Sequence, residues 1–261
     1  MVTYVADSQQ ISISRACREA SLPKSMYYYK MVKDDSETIA KLAALASTCP
    51  SEGKDLYYGR IRTQGFKWNY KRVRRVYLLL GLNQRRKARK RLPQRVKTPL
   101  AQPAAPGEMW SVDFMSDILT NQRKFRTLNV LDDFNREAIA IEVAYSMPAV
   151  RVTGLLEQII CEQGKPKCIR VDNGPEFISK EFNTSCEGNG IKIQYTQPER
   201  PMQNGYIERF NRSFRESILD AYLFENVMQV QLLAEEWVAD YNSKRRHEAL
   251  GGKTPMELTP C

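Results

Sequence analysis

From Met109 onward the apolar positions fall into a period of two, and this change of pattern constrains the fold more than any other feature of the chain. Residues 109–119 alternate, Asn121-Gln122 supplies turn material, and Phe125–Asp132 predicts a second strand. Glu137–Val143 predicts a third, after a turn at Asn135-Arg136. Pro148 then opens a helix over 149–163. Lys167–Val171 reads as a short buried strand, Glu176–Gly188 as a helix and Ile191–Tyr195 as a fifth strand. Two helices, near 203–222 and 228–243, finish the chain. Three strands in a meander followed by alternating helix and strand predict a mixed five-stranded α/β sheet flanked by helices.

Before Met109 the periodicity is helical. Ile13–Ala20, a break at Ser21–Ser25 and the basic aromatic Met26–Lys30 form the outline of a helix-turn-helix. Ile39, Leu42, Ala43 and Ala46 mark a helix over 36–47, and a further helical unit is expected from Tyr57 to Leu82. Within that unit Val73, Val76 and Leu80 share one face, whereas Arg72 and Arg75 lie on another, a separable basic stripe. Four prolines, Pro93, Pro99, Pro103 and Pro106, make 92–108 an extended linker. The expected organisation is therefore a basic, small all-α, helix-turn-helix DNA-binding region at 1–91, a Pro-rich linker at 92–108, and a catalytic core with C-terminal helices at 109–261.

Charge follows the same division. Residues 1–106 hold 22 Lys+Arg against 7 Asp+Glu, a balance of +15; residues 107–261 hold 18 against 23, a balance of −5. A basic front and a mildly acidic back suit a nucleic-acid-binding module joined to a catalytic one. The run Arg85, Arg86, Lys87, Arg89, Lys90 and Arg91 is dense enough to neutralise phosphates, with binding that weakens as salt rises.

Three carboxylates carry the chemistry. Asp113 lies in Trp110-Ser111-Val112-Asp113-Phe114, where Trp110, Val112 and Phe114 point one way and Ser111 and Asp113 the other. Its ordinary explanation is a solvent-facing edge strand. Asp172 ends the run Ile169-Arg170-Val171 and is followed by Asn173-Gly174, which is also ordinary turn chemistry. Glu208 lies 35 intervening residues further on, near the start of an amphipathic helix with Ile207, Phe210, Phe214 and Ile218 on its apolar stripe. Its ordinary explanation is a salt-bridged surface. Together, at this spacing, they are what a two-metal phosphoryl-transfer site requires, since Mg2+ takes hard oxygen ligands and a pair of ions serves both attacking and leaving oxygens. That points to a polynucleotidyl transferase. The Glu208 face of the helix carries Asn211, Arg212 and Arg215; Glu208 is read as a metal ligand and Arg215 as a contact to a DNA phosphate, with Asn204 and Arg212 as further DNA-binding residues.

At these motifs the chain resembles a DDE transposase of the insertion-sequence-three family, the product containing the catalytic second reading frame, whose core is shared with retroviral integrases. Trp110-Ser111-Val112-Asp113, Val171-Asp172-Asn173-Gly174-Pro175-Glu176-Phe177 and Gln203-Asn204-Gly205-Tyr206-Ile207-Glu208 match its three carboxylate motifs. Arg215 stands at the family's basic position seven after the Glu, and Tyr241-Asn242 with Arg245, His247, Leu250, Thr254 and Pro255 matches its C-terminal signature. Asn69-Tyr70-Lys71-Arg72-Val73 with Gly81-Leu82 is similar to its pre-core helical region. The resemblance implies a ribonuclease-H-like fold, Asp113, Asp172 and Glu208 as catalytic and metal-binding residues, and Mg2+ as cofactor with Mn2+ as a substitute. It implies the element's terminal repeats and target DNA as partners, a homo-oligomer on DNA, and an upstream-frame protein or fusion.

The rival reading is a non-catalytic DNA-binding regulator, a repressor or an inactive copy of the element, which needs only the basic half. A ribonuclease-H-type hydrolase, cutting without joining, is the enzymatic rival. The six cysteines contain no CxxC pair, and His247 is the chain's single histidine, so no Cys2His2 zinc site is available. His247 is read as structural or DNA-contacting rather than a ligand, Glu176 as a first-turn helix residue, and Trp110 and Trp237 as core. With no signal peptide and no spanning run, the expected setting is the bacterial cytoplasm, at the nucleoid, with no membrane partner.

Overall fold

A computed structural model describes residues 2, 4, 6, 10–28, 34–83, 103–196 and 204–259. The helices are α1 (Ile13–Glu19), α2 (Lys24–Tyr27), α3 (Ser36–Thr48), α4 (Lys54–Thr63) and α5 (Tyr70–Leu79). Strands β1 (Met109–Ile118), β2 (Lys124–Asp132) and β3 (Ala138–Ala144) follow, then α6 (Ala149–Gln163) and β4 (Cys168–Val171). Next come α7 (Pro175–Ile178), α8 (Lys180–Gly188), β5 (Lys192–Tyr195), α9 (Gly205–Phe214), a π-helical turn Arg215–Leu219 and α10 (Val227–Lys244).

The five strands form one sheet in the order β3-β2-β1-β4-β5. β1 pairs antiparallel with β2, and parallel with β4, which pairs parallel with β5. The strand that carries Asp113 is thus the centre of the sheet, not its edge. Both faces are covered. Trp110, Val112 and Leu128 pack against Val152, Leu156, Phe177 and Phe182 from α6, α7 and α8. Met115, Phe125 and Ile141 pack against Phe210 and Phe214 of α9 and Val230, Ala234 and Tyr241 of α10. Alternation along β1 therefore sorts residues between two apolar layers, and the Asp113 side is the one α9 covers. Trp237 packs between Phe210, Phe214 and Tyr241, in the core as expected.

Several predicted helices are divided. The unit expected over Tyr57–Leu82 is two helices, because the chain reverses at Gly65 (φ 88°) and Asn69 caps the second, its side chain accepting the Lys71 N–H. Val73 and Val76 are buried there, with Tyr77 rather than Leu80 completing the stripe. Glu176–Gly188 is split by Ser179, extended at ψ 151°, whose hydroxyl caps α8 at Phe182 N. The final pair begins with α9, which relaxes into a wider π turn at Arg215 rather than running on to residue 222.

The chain forms two compact units, Met1–Lys41 and Leu42–Cys261. In the first, α1 and α2 are joined by a turn with Ser21 at φ 51°, and Ala16 and Cys17 are buried. The second begins within α3 rather than at the proline-rich stretch, most of which, with the run Arg85–Arg91, lies outside the described residues. The reason is a buried ion cluster linking residues far apart in sequence. Arg60 of α4 donates from Nε and Nη2 to Glu52 at 2.7 Å each, and reaches Asp240 of α10 at 2.6 Å. Burial and the two carboxylates act oppositely on this guanidinium, and the carboxylates prevail, raising its pKa. Ser51 and Ser217 share a hydrogen bond at 3.0 Å, and Arg246 lies across α4 at Gly59. Residues 42–82 are thereby built into the same body as the sheet.

Candidate active site

The register of the sheet places the first two carboxylates. Ser111 pairs with Arg170 across the parallel β1–β4 ladder, so two residues further on Asp113 is level with Asp172. Asp172 is held by the Asx turn the sequence promised: its Oδ1 accepts the Gly174 N–H at 2.9 Å. Gly174 has an ordinary φ of −62°, yet a Cβ there would stand 2.9 Å from that same oxygen. Glycine here makes room for a carboxylate. Asp172 is half-buried and Glu208, in the first turn of α9, is exposed.

Asn211 ties α9 to the strand. Its Nδ2 donates to Asp113 Oδ2 at 2.8 Å while its Oδ1 accepts from Asn129 Nδ2 at 2.7 Å. Asn129 is the direct cross-strand partner of Asp113 in the β1–β2 ladder. The first carboxylate is thus oriented by a buried amide relay that spans two strands and the helix carrying the third. Asp113 is pushed up to about 6, chiefly by burial and further by the charges of Asp172 and Glu208; the Phe114 N–H and Asn211 oppose this. All three carboxylates act on one region of space.

Hard oxygens crowded in this way suit Mg2+-type ions, which take one or two carboxylates plus waters and phosphates. Among the described residues no three acidic, His or Cys side chains close around a single ion. Carboxylates of this kind leave most positions around such an ion to water or other oxygen ligands.

Other nominated residues are placed differently. Arg215 donates to Asp117 Oδ2 at 2.9 Å and to the Ser116 carbonyl at 3.0 Å, since the π turn swings it onto β1. Its charge is already matched by β1. Asn204 is buried directly before α9, whose Ile207 and Phe210 enter the core, and it does not form part of an open face. Arg212 is exposed on α9, and Arg72 and Arg75 are half-buried on α5, Arg72 over the Trp68 ring. Arg85, Arg86, Lys87, Arg89, Lys90 and Arg91 lie outside the described residues. Glu176 pairs with Arg126, which overcomes the cost of burial and holds the carboxyl below its ordinary range. Arg126 also lies 4.0 Å over Phe114, itself stacked on Phe177. The sequence places Asn211 on the Glu208 face by its i, i+3 spacing, but neither its bond to Asp113 nor Asn129 is legible there, because only the ladder register and the docking of α9 bring them together.

A carboxylate on the central strand, a second at the end of its parallel neighbour and a third on the covering helix define a ribonuclease-H-like polynucleotidyl transferase. The Integrase core domain family matches residues 103–201 and again 189–255. The chain belongs to the DDE transposases of bacterial insertion sequences, enzymes with an integrase-type core that act in DNA transposition. It is 33% identical over 259 residues to the "Insertion element IS407 uncharacterized 31.7 kDa protein" of Burkholderia multivorans (strain ATCC 17616 / 249), covering 98% of this chain and 94% of the relative. To the "Insertion element IS476 uncharacterized 39.2 kDa protein" of Xanthomonas euvesicatoria it is 34% identical, over 95% of this chain and 72% of the relative. Its fold is similar to a chain of the simian T-cell lymphotropic virus intasome in complex with PP2A regulatory subunit B56 gamma. There the TM-score is 0.50 at 19% identity, over 84% of this chain and 73% of that one. Among the described residues no helix is long and apolar enough to cross a membrane.

Proposed function

We propose that the protein nicks the ends of its insertion sequence and joins the freed 3′-OH to DNA by in-line phosphoryl transfer at Asp113, Asp172 and Glu208. The observation that carries this is the level placement of Asp113 and Asp172 on adjacent parallel strands, with Asn211 docking the Glu208 helix onto Asp113. In the first step water attacks the phosphodiester at the element end, and the bond to the 3′ oxygen breaks to leave a 3′-OH. In the second, that hydroxyl attacks another phosphodiester and one P–O bond replaces another, so no ATP and no covalent protein intermediate are needed.

The three carboxylates would hold two Mg2+ ions, or Mn2+ in their place; such ions polarise the phosphate and lower the cost of charge on the attacking and leaving oxygens. The chain's own residues supply the rest. Asn211 and the Phe114 N–H keep Asp113 in one rotamer, the Gly174 N–H fixes Asp172, and the apolar layers on both sheet faces make the strand ends rigid. Residues 1–91 act in DNA binding, with Arg72, Arg75 and the run from Arg85 to Arg91 neutralising phosphates and 92–108 as the connection to the core. Terminal repeats and target DNA are the partners, a homo-oligomer assembles on them, an upstream-frame segment takes part, and the setting is the nucleoid.

The test is incubation of purified protein with a labelled element-end duplex and target plasmid, with Mg2+ or EDTA, beside Glu208→Ala. Joining that needs both the metal and Glu208 is the expected outcome. Nicking alone would favour a hydrolase, and salt-sensitive binding without cleavage would favour a regulator.

A further inference from the structure

A cleft of about 920 Å³ in the second unit does not contain the carboxylates. It is bounded by α4, the flank of α9 bearing Tyr206, Arg209, Phe210 and Ser213, the β2–β3 turn at Arg136, and the end of α10 with the segment after it. On α9 those four positions fall on one face, about 100° or more round the axis from Glu208. The cleft and the carboxylate cluster thus lie on different flanks of the same helix.

The lining carries five arginines, Arg62, Arg136, Arg209, Arg245 and Arg246, and the neutral His247, against Asp55 and Glu248; behind it Glu52 lies 3.9 Å from Arg245. Asp55 is already engaged by Lys54 and Tyr70. Arg246 is held by neutral groups, the Thr63 hydroxyl at 3.1 Å and the Gly252 carbonyl at 2.8 Å, and Gly59 leaves it the space to lie there. Arg62 and Arg209 are exposed and have no carboxylate partner among the described residues. At the border two buried groups have unmet hydrogen-bonding capacity: Nη1 of Arg136, a residue only 7% exposed, and Nε2 of His247. Arg136 lies over the Tyr206 ring at 3.4 Å, and Tyr241 packs edge-on against His247 at 5.1 Å. Arg136 is a buried cation with one N–H group unpartnered, and an anion at that border would accept from it and relieve the cost.

We propose that this cleft is a second nucleic-acid phosphate site, distinct from the carboxylate cluster, that grips the backbone of the DNA strand running past α9. The proposal rests on the DNA-joining reading above and adds to it a holding site beside the reacting one. A helix with its side chains is about 10–12 Å across, a span covered by a few nucleotides at ~3.4 Å rise per strand. One strand can therefore reach both flanks. Arginine is the side chain of choice for such contacts, since its planar fork meets phosphate oxygens in pairs. An anion in the cleft would also offset the arginines that, after burial itself, depress the His247 imidazole to about 4.

Because His247 is the only histidine in the chain, a tag-free protein reports on the cleft through a single imidazole resonance. We would titrate the full chain with a short element-end duplex, following this resonance alongside fluorescence anisotropy, and in parallel with inorganic phosphate. Arg62→Gln and Arg209→Gln, both at exposed positions, would be compared for the dependence of binding on salt. The expected result is a duplex-dependent shift of the resonance that saturates with binding, and a log–log salt slope shallower by about 1 in each variant. Duplex binding that leaves the resonance unmoved and both slopes unchanged would overturn the proposal. So would a shift produced by inorganic phosphate but not by the duplex, which would assign the cleft to a free anion. Metal-dependent joining with an unmoved resonance and unchanged slopes would remove the cleft and leave the transferase; a moved resonance without joining would do the reverse.

Discussion

Single side chains at this site act by occupying or vacating very small spaces. At Gly174 a methyl group would meet Asp172 Oδ1 at 2.9 Å, although the backbone itself is unstrained. Gly174→Ala is therefore expected to reduce joining about 10–100-fold, the scale of an ångström-level misplacement, while the melting temperature changes little; equal joining by the two proteins would show that Asp172 yields freely. His247 gives a second residue-scale expectation. Burial, then Arg245, Arg209 and Arg136, hold its folded pKa at about 4 against an ordinary 6.5. The unfolded chain takes up the proton first, so stability from this group is complete above pH ~6.5 and is lost as pH falls through the folded value. Across that window the loss is on the order of 3 kcal/mol. Urea denaturation at neutral pH and near pH 4.5 should show a smaller acid-induced loss in His247→Gln; parallel losses in both proteins would contradict the assignment.

Elements are joined here by contacts of very different legibility. The buried cluster of Arg60, Glu52 and Asp240 fastens α4 to α10 across a separation of 180 residues. Arg60→Ala would leave Glu52, 5% exposed, without its bidentate partner, and should cost about 3–5 kcal/mol by urea denaturation. The double change Glu52→Ala with Arg60→Ala should cost less than the two single changes summed, and strict additivity would rule the pair out as a coupled unit. No periodicity points to such a link, which is why the sequence suggests a boundary at 92–108 whereas the compact body begins at Leu42. The strands were legible because alternation survives burial on both faces; Trp110 and Val112 turn to one layer, Met115 to the other. The helix breaks at Gly65 and Ser179 were harder, since each depends on one backbone rotation and one capping bond. Of the site, each carboxylate was visible through its own turn or helix. The Asn129–Asn211–Asp113 relay was not, because it needs the β1–β2 register and the docking of α9 together.

At the scale of the whole molecule, the question is which segments share one unfolding reaction. Leu42–Cys261 is knit internally by the Arg60 cluster, the Ser51–Ser217 bond and the seat of Arg246 on Gly59. Helices α4 and α5, which sequence patterning groups with a separate DNA-binding region, should therefore unfold with the sheet. Native-state hydrogen exchange distinguishes the alternatives, because amides opened only by global unfolding share one free energy. The amides of Tyr57 and Ile61 in α4 should exchange with the same free energy as Val112 and Val130 in the sheet. Ala16 and Cys17, in the first unit, should exchange at a lower one. In Arg60→Ala the α4 amides should fall away from the sheet values while Val112 and Val130 stay together, since the substitution removes the clamp and not the sheet. If α4 already exchanged independently in the unaltered protein, the helical segment would be a tethered module, and its arginines would move without reference to Asp113, Asp172 and Glu208. A shared value means instead that α4, the cleft it helps to line and the strands that position Asp113 and Asp172 are held in one frame. In that case a load applied to DNA at one of them is felt at the other.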